Sequence, residues 1–218
     1  MLVRTEGRKE LKADLHIHSK YSGDSSLTIE QIITTCRKQS FDVISITDHN
    51  TFEGALIASS YVKNYGDITI LIGVEVMTNL GELIVIGDKP FEISYNAYEL
   101  IDRAHSLGHL VIAPHPYDSW RRGVKDYVYN LNIDAIEVYN TSSSKKAVEK
   151  ALNAAKILNK PAIGSSDAHT VRELNTSYTV IYFTDDVIDS KIIIDSIKAG
   201  RVKPYFKSVS RFFSRLFR

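Results

Sequence analysis

The stretch Asp14-Leu15-His16-Ile17-His18 decides how this chain is read. Ala13 to His18 has the character of a short strand, and side chains two residues apart on a strand point the same way. Both imidazoles can reach one point, which makes the pair a chelating element awaiting further ligands. Alone, such a pair is also compatible with plain polar surface. What matters is whether the rest of the chain sends matching ligands to the same place.

Working outward, short apolar runs alternate with helical patterns. Strands are expected at Ala13 to His18, Val43 to Thr47, Ile68 to Val76, Glu82 to Gly87, Leu110 to Ala113, Ala135 to Tyr139, Pro161 to Ser165 and Tyr178 to Phe183. The turn at Leu80-Gly81 predicts a hairpin between the third and fourth of these. Thr28 opens a helix with a Thr-x-x-Gln capping pattern ending at Gln31. Ile29, Ile32, Ile33 and Cys36 form its apolar face, so Cys36 reads as a buried residue rather than a nucleophile. Further helices are expected over 52–64, 97–106, 144–158 and 189–199. Strand and helix repeating in this way predict a parallel α/β sheet with crossover helices. A closed barrel and an open doubly wound sheet both fit. The first strand is not followed by a glycine-rich loop, which argues against dinucleotide binding.

The 218 residues suit one domain, and a hydrophobic fraction of 44% supplies a large core. A formal net charge of +1 creates no global demand for nucleic acid or an acidic partner. The single cysteine excludes an intrachain disulfide and fits a reducing compartment. Met1 to Lys12 lacks the apolar core of a signal peptide, and the apolar runs are too short to span a bilayer. These features predict a cytoplasmic protein.

The candidate ligands are not scattered. His16, His18, Asp48, His49, Glu75, His115, Glu137, Asn140, Asp167 and His169 each lie at or just past the carboxyl end of an expected strand. Five of the seven histidines are among them. In a β/α barrel those ends meet on one face, where active sites are built. His105 and His109, which flank Gly108, read instead as exposed or capping residues. Mixed imidazole and carboxylate donors suit Zn²⁺, Mn²⁺ or Fe²⁺ better than Ca²⁺ or Mg²⁺. There are more donors than one ion needs.

The chain resembles the PHP (polymerase and histidinol phosphatase) family, in its short stand-alone form. The matching text is Asp14-Leu15-His16-Ile17-His18-Ser19, Ile46-Thr47-Asp48-His49-Asn50-Thr51 and Gly73-Val74-Glu75-Val76. It continues through Ala113-Pro114-His115-Pro116, Ile136-Glu137-Val138-Tyr139-Asn140 and Ser165-Ser166-Asp167-Ala168-His169. The resemblance implies a distorted (β/α)7 barrel over residues 1–204, with two or three divalent metal ions at the carboxyl ends of the strands. By position, His16, His18, Glu75 and Asp167 would hold one ion, and Glu75 and His115 would share a second. His49 and His169 would hold a third with Asp24. Many relatives carry a further histidine on the strand matching Glu82 to Gly87. Here Ile84 stands nearest that place, and Glu82 or water is the available substitute. Glu137 and Asn140 either line the site or serve the structure.

The implied activity is metal-dependent hydrolysis of a phosphomonoester or phosphodiester by activated water, with His49, His169 and Asp167 closest to the chemistry. The expected substrate is a nucleotide, an oligonucleotide end or a small metabolite phosphate; composition does not point to duplex nucleic acid. Arg121 and Arg122, following the His115 strand end, are candidate phosphate ligands. Tyr117 and Trp120 are candidates to stack on a base or to cover the rim. Residues 205–218 read as a basic, aromatic tail or helix, whose phenylalanines are expected to pack on the barrel; the alternative is a basic amphipathic helix that touches a membrane surface or nucleic acid. The competing readings are an amidohydrolase and a non-catalytic, nucleic-acid-binding relative. The first typically uses a metal-bridging lysine that these strand ends do not offer. The second should have lost ligands that this chain keeps.

Overall fold

The computed structural model describes residues 3–4, 10–63, 67–183 and 187–207. A short strand β1 (Val3–Arg4) precedes β2 (Glu10–Ile17), α1 (Ile29–Lys38), β3 (Val43–Ile46), α2 (Glu53–Val62) and β4 (Thr69–Thr78). β5 (Gly81–Gly87), α3 (Ala97–Ser106), β6 (Leu110–Ala113), β7 (Ala135–Tyr139), α4 (Lys145–Leu158) and β8 (Ala162–Gly164) follow. The chain continues through β9 (Ser177–Tyr182), β10 (Val187–Ile188), α5 (Ser190–Lys198) and β11 (Val202–Phe206).

Strands β2, β3 and β4 run parallel, β5 runs against both its neighbours, and β6, β7 and β8 resume the first direction. The expected hairpin is therefore present between β4 and β5. The sheet closes on itself only at the mouth. There Ile17 bridges Ala168, the Asp167 N–H donates to His16 O at 2.8 Å, and the His18 N–H donates to Ala168 O at 3.0 Å. Lower down, β9 pairs antiparallel with β2, and β11 with β9, filling the seam. Thr179 Oγ1 ties this insert to β8, donating to Gly164 O at 2.7 Å and accepting from Gly164 N at 3.0 Å. The result is a nearly closed, mixed α/β barrel of the expected class.

The barrel interior is apolar, with Ala13, Val43, Leu71, Ile84, Ile112, Ala135, Ile163 and Ile181 in one buried cluster. Helices α1 and α2 cover a second cluster outside, around Ile32, Ile33, Ile44, Ile46 and Ala58. The capping box of α1 is formed, with the Gln31 N–H donating to Thr28 Oγ1 and the Thr28 N–H to Gln31 Oε1. Cys36 is fully buried, and burial pushes its thiol pKa upward, away from reactivity.

The opening strand departs from simple alternation. Ala13 and Leu15 lie in the interior cluster, whereas Ile17 lies in the outer one. The sides therefore exchange between Leu15 and Ile17, where the pairing with β3 shifts register. A β-bulge re-aims side chains in this way. It lets Leu15 fill the interior while His16 and His18 still turn into the mouth.

His109 corrects an expectation. It is only 2% exposed, not a surface or capping residue. Gly108, at φ 76°, ends the helix, and the chain enters β6 directly, placing the ring under Gly87 and against Phe91. His105 is partly buried, with Nε2 3.0 Å from Asp134 Oδ2. Of the expected tail, Tyr205 and Phe206 belong to β11, and residues 208–218 lie outside the described residues. Among the described residues, no helix is long and apolar enough to cross a membrane.

Gly54 supports the second strand end. A Cβ there would overlap the Asp48 carboxylate and approach Ser19 Oγ to 2.6 Å. That carboxylate accepts from Ser19 N at 2.6 Å and Ser19 Oγ at 2.7 Å, tying the β2 and β3 ends together. Gly54→Ala is expected to cost about 1–3 kcal/mol through overpacking. The midpoint of thermal unfolding should fall by about 2–4 °C per kcal/mol. An unchanged melting temperature would show that the loop accommodates a methyl group.

Candidate metal centre

Four groups from three separate chain segments converge at the barrel mouth. His16 Nε2 lies 3.0 Å from His18 Nε2, 3.5 Å from Glu75 Oε1 and 3.3 Å from Asp167 Oδ1. His18 Nε2 lies 3.3 Å from Glu75 Oε2 and 3.4 Å from Asp167 Oδ1. Ligands about 2.0–2.1 Å from a tetrahedral ion are separated by about 3.3 Å. The spacing therefore suits a shared cation far better than it suits two imidazoles facing each other unaided. Glu75 Oε1 and Asp167 Oδ1 are buried without a hydrogen bond of acceptable geometry, as donors reserved for an ion would be.

Glu75 extends the site in two further directions. Its Oε1 lies 3.2 Å from His115 Nε2, and its Oε2 lies 3.0 Å from His49 Nδ1. The other nitrogen of His49 is 3.1 Å from Asp24 Oδ2, and His169 Nε2 is 3.3 Å from the same oxygen. His18, Asp24, His49 and His169 form one potential ligand group, and His16, His115 and Asp167 another. The eight sequence-derived metal candidates are thus brought together in one mouth, including Asp24 from the irregular 19–26 loop.

The backbone around the site is unusual. His115 has φ 29° and Asp167 φ 52°, in the left-handed region that costs a residue with a side chain about 1–3 kcal/mol. They lie two and three residues past the ends of β6 and β8, and the turn aims each side chain across the mouth. Asp14 holds the second turn from behind, its Oδ1 accepting from Ser166 N at 2.9 Å. Burial lifts the Asp14 carboxyl to about 7.

Glu137 and Asn140 have different roles. Glu137 Oε1 sits 3.1 Å from His16 Nδ1, and its Oε2 accepts from His115 N at 3.1 Å. It orients one imidazole and fixes the turn carrying another, as outer-shell carboxylates do for metal-ligating histidines. Asn140 Oδ1 accepts from Ser142 N and Ser143 Oγ, and its Nδ2 donates to Glu137 Oε2 at 3.4 Å, so it braces the loop and that carboxylate together. Ser22, which sequence reasoning missed, lies 2.8 Å from His18 Nδ1 and accepts from His49 N at 3.0 Å. Nothing in a serine-rich loop marks which hydroxyl will do this.

The charges balance internally. Burial alone would keep His16 neutral, but Asp167, Glu137 and Glu75 outweigh it and hold its pKa well above the ordinary value. His18 and His115 are also raised despite burial, and Glu75 with Asp24 lifts His49 to about 9. Burial would raise the carboxyls of Glu75 and Asp167, yet the surrounding imidazoles hold both below the usual range. His169 moves the other way, lowered by burial and by His18. This is a set of carboxylates that demands positive charge, from protons or from cations.

Arg121 reaches into the same space, with Nη2 2.8 Å from Asp167 Oδ2. The Arg122 side chain is exposed, while its backbone joins β5, with N donating to Glu82 Oε2 at 3.1 Å. Trp120 is 93% exposed and covers no part of the barrel, whereas Tyr117 packs on the outer core.

Barrel and mouth together define a scaffold whose histidine–carboxylate clusters are able to hold metal ions. Residues 14–130 match the PHP domain model, and residues 145–202 match the PHP-associated model. The chain belongs to the PHP domain family. It is 35% identical over 141 residues to the uncharacterized protein MJ1587 of Methanocaldococcus jannaschii, covering 60% of this chain and 82% of that one. Its fold is similar to a two-domain protein of Bacteroides vulgatus ATCC 8482 containing a predicted PHP-like metal-dependent phosphoesterase. That match has a TM-score of 0.75 and 17% identity, and spans 91% of this chain and 65% of the other. An amidohydrolase of Chromobacterium violaceum, solved with bound sulfate and no metal, has TM-score 0.64 and 16% identity, over 88% and 97% of the chains.

Proposed function

We propose that the protein is a metal-dependent phosphoesterase acting on a phosphomonoester or phosphodiester, with a nucleotide, an oligonucleotide end or a small metabolite phosphate as substrate. The observation that carries this reading is the convergence of His16, His18, Glu75 and Asp167 at ligand spacing, with the Arg121 guanidinium alongside. His16, His18, Glu75 and Asp167 would hold one divalent ion, Glu75 with His115 a second, and His49, His169 and Asp24 a third. Zn²⁺, Mn²⁺ and Fe²⁺ suit this donor set. When bound, such ions acidify water and offset the charge that develops during phosphoryl displacement.

The chain's own groups do the rest. Arg121 offers two parallel N–H donors to phosphate oxygens, a geometry that lysine cannot supply. Where they do not hold an ion, His49 and His169 stand at the partly exposed rim, placed to deliver a proton to a leaving oxygen. Glu137 keeps His16 in one orientation. Glu75, a carboxylate rather than a lysine, stands between the clusters, which favours this reading over an amidohydrolase.

The direct test uses p-nitrophenyl phosphate and bis(p-nitrophenyl) phosphate with protein stripped by chelator and reloaded with Mn²⁺, Zn²⁺ or Fe²⁺. Hydrolysis of at least one ester is expected, lost on stripping and restored on reloading. If neither ester is cleaved by metal-loaded protein, the reading is wrong.

A further inference from the structure

Because β5 runs against its neighbours, its first residues, not its last, lie at the barrel mouth. In the ladder Glu82 pairs with Met77 and Ile84 with Glu75. Residues 82 and 84 share one face of the strand. Ile84 joins the apolar layer beneath the site, and Glu82 lies two residues, about 7 Å, nearer the opening. Its carboxylate is buried, and one oxygen stands 3.9 Å from His115 Nδ1. Donor atoms of Glu82, Glu75 and His49 all lie within 4.8 Å of one another.

Two buried groups beside Glu82 have donor atoms that no protein group uses. His115 is almost wholly buried, yet its Nδ1 has no hydrogen-bond partner. Glu75 Oε1, on the other side of the same imidazole, also lacks one. Two buried carboxylates here face each other's charge, while Arg121 is turned to Asp167. A cation between the two carboxylates would relieve the repulsion and engage Glu75 Oε1, and His115 can join it through one of its two nitrogens only.

We propose that Glu82 is a ligand for a divalent cation held among Glu82, Glu75 and the imidazoles of His49 and His115. This rests on the metal-centre reading above and adds a donor to it. A carboxylate in place of an imidazole makes the shell harder, so this position discriminates less strongly for Zn²⁺ over Mn²⁺ than an imidazole-richer site would. The competing role is purely mechanical, since Glu82 also anchors the Arg121 loop. Its Oε2 accepts from Arg122 N at 3.1 Å, and its own N–H donates to Arg122 O at 2.8 Å.

Glu82→Gln separates the two roles. The amide oxygen can still accept from Arg122 N, but the charge is gone. Full-length protein is stripped, loaded with Mn²⁺ or Zn²⁺, desalted and analysed for metal content, with titration of the weakest site and melting of the metal-free form. Glu82→Gln is expected to hold about one Mn²⁺ fewer per chain, with the weakest site loosened more than about 100-fold, beyond the range of outer-shell changes. Metal-free melting should not change. Glu82→His should keep the ion count while widening the preference for Zn²⁺ over Mn²⁺. An unchanged count and affinity in Glu82→Gln would overturn the proposal and leave the metal centre standing. So would a fall in metal-free melting with ion loss in both variants, which marks a loop anchor. Parent protein that binds no ion would overturn both readings.

Discussion

Asp167→Asn is expected to lose metal and activity together, with kcat/KM on p-nitrophenyl phosphate falling by about 10³-fold or more. That corresponds to about 4 kcal/mol of transition-state stabilisation. The size follows from the position of one side chain. Asp167 Oδ1 stands 3.3 Å and 3.4 Å from the Nε2 atoms of His16 and His18, and Oδ2 stands 2.8 Å from Arg121. Its loss removes a donor from the first ion and frees the guanidinium from its partner. Asparagine is the right replacement because it tolerates the left-handed backbone at φ 52°. The Asp167 N–H can then still close the barrel on His16 O at 2.8 Å. Metal content and metal-free melting, measured on the same samples, separate the effects. Retention of the parent's ion count would remove Asp167 from the metal shell.

Arg121→Ala should weaken a phosphate substrate by the worth of a charge-assisted hydrogen bond, about 1.5–3 kcal/mol, or roughly 10- to 200-fold in kcat/KM. Most of it should appear in KM. Arg121→Lys should recover only part, since an ammonium cannot make the planar two-donor contact. Arg122→Ala should stay within about threefold, because its side chain is exposed and its backbone makes the contacts to Glu82. The same Arg121→Ala variant should bind metal more tightly, since a cation competing for Asp167 is gone. Equal KM effects from the two arginines would show that the 117–124 loop, rather than the Arg121 guanidinium, governs substrate affinity.

Much of the site was legible because strand ends are legible. Histidines and carboxylates that follow apolar runs at Thr47, Ala113 and Ser165 can be placed on one face once the strands are parallel. Arg121 and Arg122 could not be told apart, since adjacent loop residues have no periodicity to separate them. His109 was misread for a similar reason. Gly108 ends the helix as expected, but the direct entry into β6, which buries the ring, depends on strands packed from elsewhere.

The linear order of residues determined the α/β class, the capped helices, the burial of Cys36 and the set of eight metal-binding candidates. These follow from local spacing and from the chemistry of single side chains. Tertiary structure alone decided which face each donor takes. The bulge after Asp14 turns His16 inward beside Leu15, and the reversed course of β5 lifts Glu82 to the mouth while sinking Ile84 into the core. The left-handed turns at His115 and Asp167 aim their side chains across the opening. Direction of this kind comes from pairing between strands distant in the chain, and no local pattern encodes it.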